Sequence, residues 1–96
     1  MKDLEICKKI AEIEGEHVTE VECSDGSWLC SELCNEYNPL TDDDLCFKLM
    51  IKHRVALFVS ESGNCSVTNY SHNRTLARNE SPNKAICLAI IEAHKE

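Results

Sequence analysis

The chain has 96 residues, 43% of them hydrophobic, which fits one domain and is too short for two separate cores. Its formal net charge of −7, from 17 acids against 10 Lys and Arg, argues against general nucleic-acid binding, which needs a basic footprint. That charge is segregated: residues 1–47 carry −10 and residues 48–96 carry +3.

The first segment, Asp3 to Glu14, reads as a helix. Asp3 is suited to cap it, Leu4, Cys7, Ile10 and Ala11 form an apolar stripe that Ile6 and Ile13 widen, and Gly15 suits a left-handed stop. Next, Val18, Val21 and Cys23 lie among acids, and Ser24-Asp25-Gly26-Ser27 has the composition of a turn. Two readings stay open here. One is a hairpin of about residues 17–23 and 27–33. The other is a helix from Trp28 to Glu36, because Leu29 with Leu33 and Cys30 with Cys34 have helical spacing.

Asn38-Pro39-Leu40 breaks the pattern, and Thr41-Asp42-Asp43-Asp44 opens a second helix. Thr41 is expected as its cap, with the acids at the positive end of the dipole. Leu45, Cys46, Leu49, Met50 and His53 share one side, and the helix is expected to end near His53, with Lys48, Lys52 and Arg54 toward its negative end. Arg54 to Ser60 reads as a strand with Val55, Leu57 and Val59 on one face and Ala56 and Phe58 on the other, which predicts cover on both sides. A turn at Glu61-Ser62-Gly63-Asn64 leads into a strand from Cys65 to Tyr70. Residues 71–80 read as a loop with a short strand around Thr75 to Ala77. Ser81-Pro82 then starts a helix that runs to about His94. Its stripe of Ala85, Ile86, Ala89, Ile90 and Ala93 is broadened by Cys87, Leu88 and Ile91, so it is expected to bury deeply or to cover a partner subunit as well. The order gives an α+β domain, with helices packed on a small antiparallel sheet in an α/β/α sandwich-like arrangement.

Residues 36–47 (Glu36-Tyr37-Asn38-Pro39-Leu40-Thr41-Asp42-Asp43-Asp44-Leu45-Cys46-Phe47), a hairpin, and Asn83-Lys84-Ala85-Ile86-Cys87-Leu88-Ala89 follow one another in this chain. This stretch, roughly 36–93, resembles the phage ABA sandwich family of small tailed-phage and prophage proteins. The resemblance implies layers of helix, sheet and helix, and a place in the cytoplasm of a bacterial host. Its motifs are helix caps and core stripes, so it implies no catalytic or binding residue.

Between Ile10 and Phe47 there is no Lys or Arg but there are 11 acids. Such a segment serves as a solvated face that keeps a small protein soluble, or as a docking surface that steers a basic partner. In the docking reading the candidate residues are Glu20, Glu22, Asp25, Glu32, Glu36, Asp42 and Asp43. The partner is then a host or phage protein with a basic surface, for instance a defence or nucleic-acid enzyme that the chain inhibits. A homodimer through the last helix is the alternative. Direct nucleic-acid binding, membrane binding, cofactors and catalysis are not expected.

Seven cysteines cannot pair completely within one chain. The start MKDLEICKKIAEIEGE lacks the apolar stretch of a secretory signal, so a reducing cytoplasm is expected, with the cysteines as small buried hydrophobes. Cys30 and Cys34 with His17 or His53 make the best zinc candidate, but the loose pair lacks the usual second pair. His53 reads as a helix-boundary residue, His94 as a cation in a last helical turn, and His72 as the histidine with least explanation. Arg54, Arg74, Arg78 and Lys84 are candidates to gather at one end of the sheet.

Overall fold

A computed structural model describes residues 1–71 and 74–95. His72 and Asn73 lie outside the described residues, and with them the reading of His72. Helix α1 spans Asp3–Glu14 and ends at Gly15, whose φ of 69° is the left-handed conformation that glycine adopts without penalty. Its N-cap is Lys2 rather than Asp3, and no side chain caps it. Asp3 instead sits in the first turn, where its charge faces the positive end of the dipole.

The hairpin is the reading that holds for the next segment. Strands β1 (Val18–Cys23) and β2 (Gly26–Ser31) pair antiparallel from Val18↔Ser31 to Cys23↔Gly26, joined by Ser24 and Asp25. Gly26, the first residue after that connection, takes a φ of 121°, a conformation that side chains resist. The helical spacing of Leu29 and Leu33 was coincidental: Leu29 is buried while Leu33 is 82% exposed. Leu29 and Glu20 share the hairpin face that lies on α1, where Glu20 pairs with Lys8. The chain then folds back on β2, with the Ser31 N–H donating to the Asn35 carbonyl (2.8 Å) and the Tyr37 N–H to the Leu29 carbonyl (2.8 Å).

Helix α2 (Asp43–Lys52) is capped by Asp42, which accepts the Leu45 N–H at 3.2 Å, one residue later than the sequence suggested. Thr41 belongs instead to the turn around Asn38, whose carbonyl accepts the N–H groups of Thr41 and Asp42. Strands β3 (Ala56–Val59), β4 (Cys65–Thr68) and β5 (Thr75–Asn79) form an antiparallel sheet in the order β3-β4-β5. Helix α3 (Pro82–Ala93) starts as expected, with the Ser81 hydroxyl accepting the Lys84 N–H and Pro82 in the first turn.

The register Leu57↔Val67↔Ala77 puts these residues on the face toward α3, and Phe58↔Ser66↔Arg78 on the other. Val67 is fully buried whereas Phe58 is 50% exposed, so β3 is not covered on both sides as its composition suggested. It is an edge strand whose outward face has no helix over it among the described residues. Beyond α3 on the other side lie α1 and α2, and β2 packs on α1. The helices therefore fill the space between the three-stranded sheet and the separate hairpin, within one α+β domain. This position explains α3: Ala85, Ile86, Cys87, Ala89, Ile90 and Ile91 are all buried in the chain's own core. The broad apolar face that invited a partner subunit is thereby consumed within the monomer.

Candidate functional site

Ten of the eleven acids between Ile10 and Phe47 are exposed, and only Glu14 is drawn partly inside. They do not form one cluster. Glu22 and Asp25 ride on the hairpin, Asp25 in its turn. Glu12, Glu16 and Glu32 line an open cleft of about 700 Å³ between the end of α1 and the base of the hairpin, together with Lys8, His17 and Cys30. Glu36, Asp42, Asp43 and Asp44 line a second concavity of about 450 Å³ with Asn38 and Thr41. The turn after β2 carries both Glu32 and Glu36 and so links the two.

Some of the expected docking residues have local duties. Glu20 is bound by Lys8, whose hydrogen bond and charge hold its carboxyl below the usual range. Asp42 caps α2, and Asp43 accepts a 2.8 Å hydrogen bond from the Asn83 amide at the start of α3. Glu22, Asp25, Glu32 and Glu36 form no ion pair among the described residues, and neither do Glu12 and Glu16. Glu12 and Glu16 were not singled out from the sequence. Only the fold shows that the end of α1 faces the base of the hairpin.

The second grouping was invisible in the sequence. The C-terminal ends of α1, α2 and α3 converge. Glu14, the last residue of α1, accepts from Lys52 at 2.8 Å and lies 2.7 Å from His53 Nε2. His53 is the C-cap of α2, as its boundary reading required, and its ring meets that of His94 edge-on with centroids 5.1 Å apart. His94, the C-cap of α3, directs Nδ1 at the Ile90 carbonyl over 2.9 Å and so donates to it. Burial pushes the Glu14 pKa up, but the hydrogen bonds and charges of Lys52 and His53 outweigh it and hold the carboxyl below its ordinary value. The arrangement neutralises one carboxylate and satisfies the electronegative ends of helices, which is the work of a clamp.

The cysteines divide. Cys7, Cys46, Cys65 and Cys87 are core residues, as expected, but Cys23 and Cys34 are exposed and Cys30 is half-buried. Cys23 lies beside the hairpin turn, and Cys34 occupies a left-handed turn position (φ 63°), so neither reaches the core. Burial raises the Cys30 pKa, and the neighbouring Cys34 thiol adds to the rise. The two thiols thus do come together, through a strand end and a turn. His17 lines the cleft beside Cys30, whereas His53 is committed to Glu14. Among the described residues no group of three or more His, Cys, Asp or Glu is placed to hold a metal ion.

The basic residues do not gather either. Arg54 lies over the Tyr70 ring at 5.9 Å, Arg74 pairs with Glu92, and Lys84 reaches Asp3 at 3.0 Å. Arg78 is on the outward sheet face. No helix among the described residues is long and apolar enough to cross a membrane. No protein-family model, curated protein or solved structure matches the chain. What the geometry defines is a small α+β domain with an acidic, concave surface built from α1, the hairpin and the turn that follows it.

Proposed function

We propose that the chain is a non-catalytic binding module that docks a basic protein surface against the acidic cleft formed by Glu12, Glu16 and Glu32 and the adjoining Glu36. The observation that carries this reading is the exposure of ten of the eleven acids in a segment that contains no Lys or Arg. Carboxylates clustered in a concavity reinforce one another's field and attract a cation more strongly than the same charges dispersed. Association steered in this way is fast and salt-sensitive, and it fixes the orientation of the partner. In the phage or prophage setting that the sequence resemblance implies, the partner is a host or phage protein in the bacterial cytoplasm. Inhibition of a defence or nucleic-acid enzyme is one concrete form.

The test is affinity capture from a bacterial lysate at low and high salt, with the native chain and with a Glu16→Lys, Glu32→Lys, Glu36→Lys variant. These three residues have no ion pair among the described residues to lose, so the fold is expected to survive. The native chain should retain a partner at low salt and release it at high salt, and the variant should capture nothing. Equal capture by both, with unchanged circular dichroism, refutes the acidic surface as the docking site.

A further inference from the structure

The edge of the three-stranded sheet carries a second surface, unrelated to the acids. Strand β3 pairs with β4 on one side only. The Ser60 N–H donates to the Asn64 carbonyl at 2.9 Å, which sets the alternation of the ladder. Phe58 and Ala56 direct their backbone groups to β4, while Leu57 and Val59 direct theirs to the open edge. Val55 also points that way, but its N–H is taken by the Met50 carbonyl at the end of α2 (3.2 Å), so the free edge begins at Leu57. Edges of this kind are ordinarily guarded by Lys, Pro or an inward charge. Ala56-Leu57-Phe58-Val59 has none, and Phe58 and Val59 are 50% and 65% exposed.

The residues at the two ends of the strand choose its occupant. Arg54 stands before β3 and Glu61 after it, and neither has an ion pair among the described residues. A second β3 laid antiparallel brings each Arg54 toward the partner's Glu61. A parallel one brings like charges together. The strand is self-complementary about Phe58. With Phe58 on the twofold axis, Leu57 exchanges both backbone hydrogen bonds with the partner's Val59, and Val59 does the same with the partner's Leu57. The two Phe58 rings then face each other directly as a non-hydrogen-bonded pair, where side chains approach most closely. We infer that β3 is the interface of a twofold homodimer, in which two three-stranded sheets join edge to edge into one of six strands. This surface replaces the last helix as the basis for self-association, and it leaves the acidic cleft free.

Sedimentation equilibrium on the full chain tests it. The native protein should show the mass of two chains at high micromolar concentration. Val59→Lys, at an exposed position, should sediment as a monomer with unchanged circular dichroism. Arg54→Glu removes both symmetry-related pairs and should weaken the dimer about thirtyfold, the effect of two exposed ion pairs at the upper end of their range. Arg54→Glu combined with Glu61→Arg should restore it. A native monomer at the highest attainable concentration overturns the proposal. So does a dimer that Val59→Lys leaves intact, or one that the charge exchange fails to restore. Capture of a lysate partner by a chain that is monomeric throughout would leave the acidic cleft standing and this interface refuted.

Discussion

Replacing Tyr37 with Phe is expected to stabilise the protein. Tyr37 is 8% exposed, and its hydroxyl is buried with no hydrogen-bond partner among the described residues. The side chain lies among Cys7, Cys87 and the charges of Glu14 and Glu16, and burial first, then these acids, raise its pKa. An unpaired buried hydroxyl has given up its bonds to water and gained none, at a cost of about 1–3 kcal/mol. The phenylalanine variant keeps the ring and its contacts. It also keeps the backbone anchor, since the Tyr37 N–H donates to Leu29 independently of the side chain. The expected gain is therefore about 1 kcal/mol, the lower end of that range. For a domain of this size such a gain raises Tm by about 4–8 °C. Thermal melts and urea titrations of both proteins measure it, and the urea slope should be unchanged because the buried area is the same. A loss of about 1 kcal/mol would refute the reasoning, because it would mean that the hydroxyl is bonded, for instance to a buried water.

Glu14→Gln should remove part of the acid sensitivity of the fold. Because the Glu14 pKa is lower in the folded chain than its ordinary 4.5, its contribution is fully present above that pH. It is lost as the pH falls through the lower folded value, so the native chain should lose urea midpoint on acidification more steeply than the variant. At neutral pH the variant should be less stable by about 1–3 kcal/mol, since Glu14 and His53 are 11% and 13% exposed and their hydrogen bonds are charge-assisted. Asp42→Ala should cost about 1 kcal/mol by uncapping α2. Thr41→Ala should change urea stability by less than about 0.5 kcal/mol, because Thr41 makes only a long 3.4 Å hydroxyl contact within an exposed turn.

Much of the fold was legible because local chemistry and tertiary packing agree in the helices. Gly15 stops α1, Ser81-Pro82 starts α3, and the apolar stripes between such signals are buried. The hairpin was ambiguous because Leu29/Leu33 and Cys30/Cys34 satisfy a helical period by chance. The choice was made by the turn at Ser24-Asp25, the positive φ of Gly26 and the pairing of Val21 with Trp28. Alternation along β3 showed a strand but not its position. An edge strand and a central one can have the same composition, and only the sheet order separates them. The Glu14–His53–His94 convergence had no sequence signal, since Glu14 and His53 are 39 residues apart and meet through the packing of three helices.

The charge asymmetry looks different once these duties are assigned. Asp3 and Glu5 lie in the first turn of α1, and Asp42, Asp43 and Asp44 at the start of α2, where the helix dipole favours anions. Lys52 lies in the last turn of α2, where it favours cations. Glu14 and Glu20 are bound by Lys52 and Lys8. These residues place acids early and bases late for reasons internal to the fold, and they account for part of the polarity without any partner. What the fold does not use is a smaller set: Glu12, Glu16, Glu22, Asp25, Glu32 and Glu36. Glu20, Asp42 and Asp43 leave the docking hypothesis on this argument, and Glu12 and Glu16 enter it. The division has a measurable consequence. Charge removal at Glu16 or Glu32 should alter stability by less than about 0.5 kcal/mol, as for other surface sites that lack a structural task, while Asp42→Ala lowers it. If losing the charge at Glu16 or Glu32 weakened the fold as much as uncapping α2, the acids of the cleft would be structural and the case for a docking surface would fall.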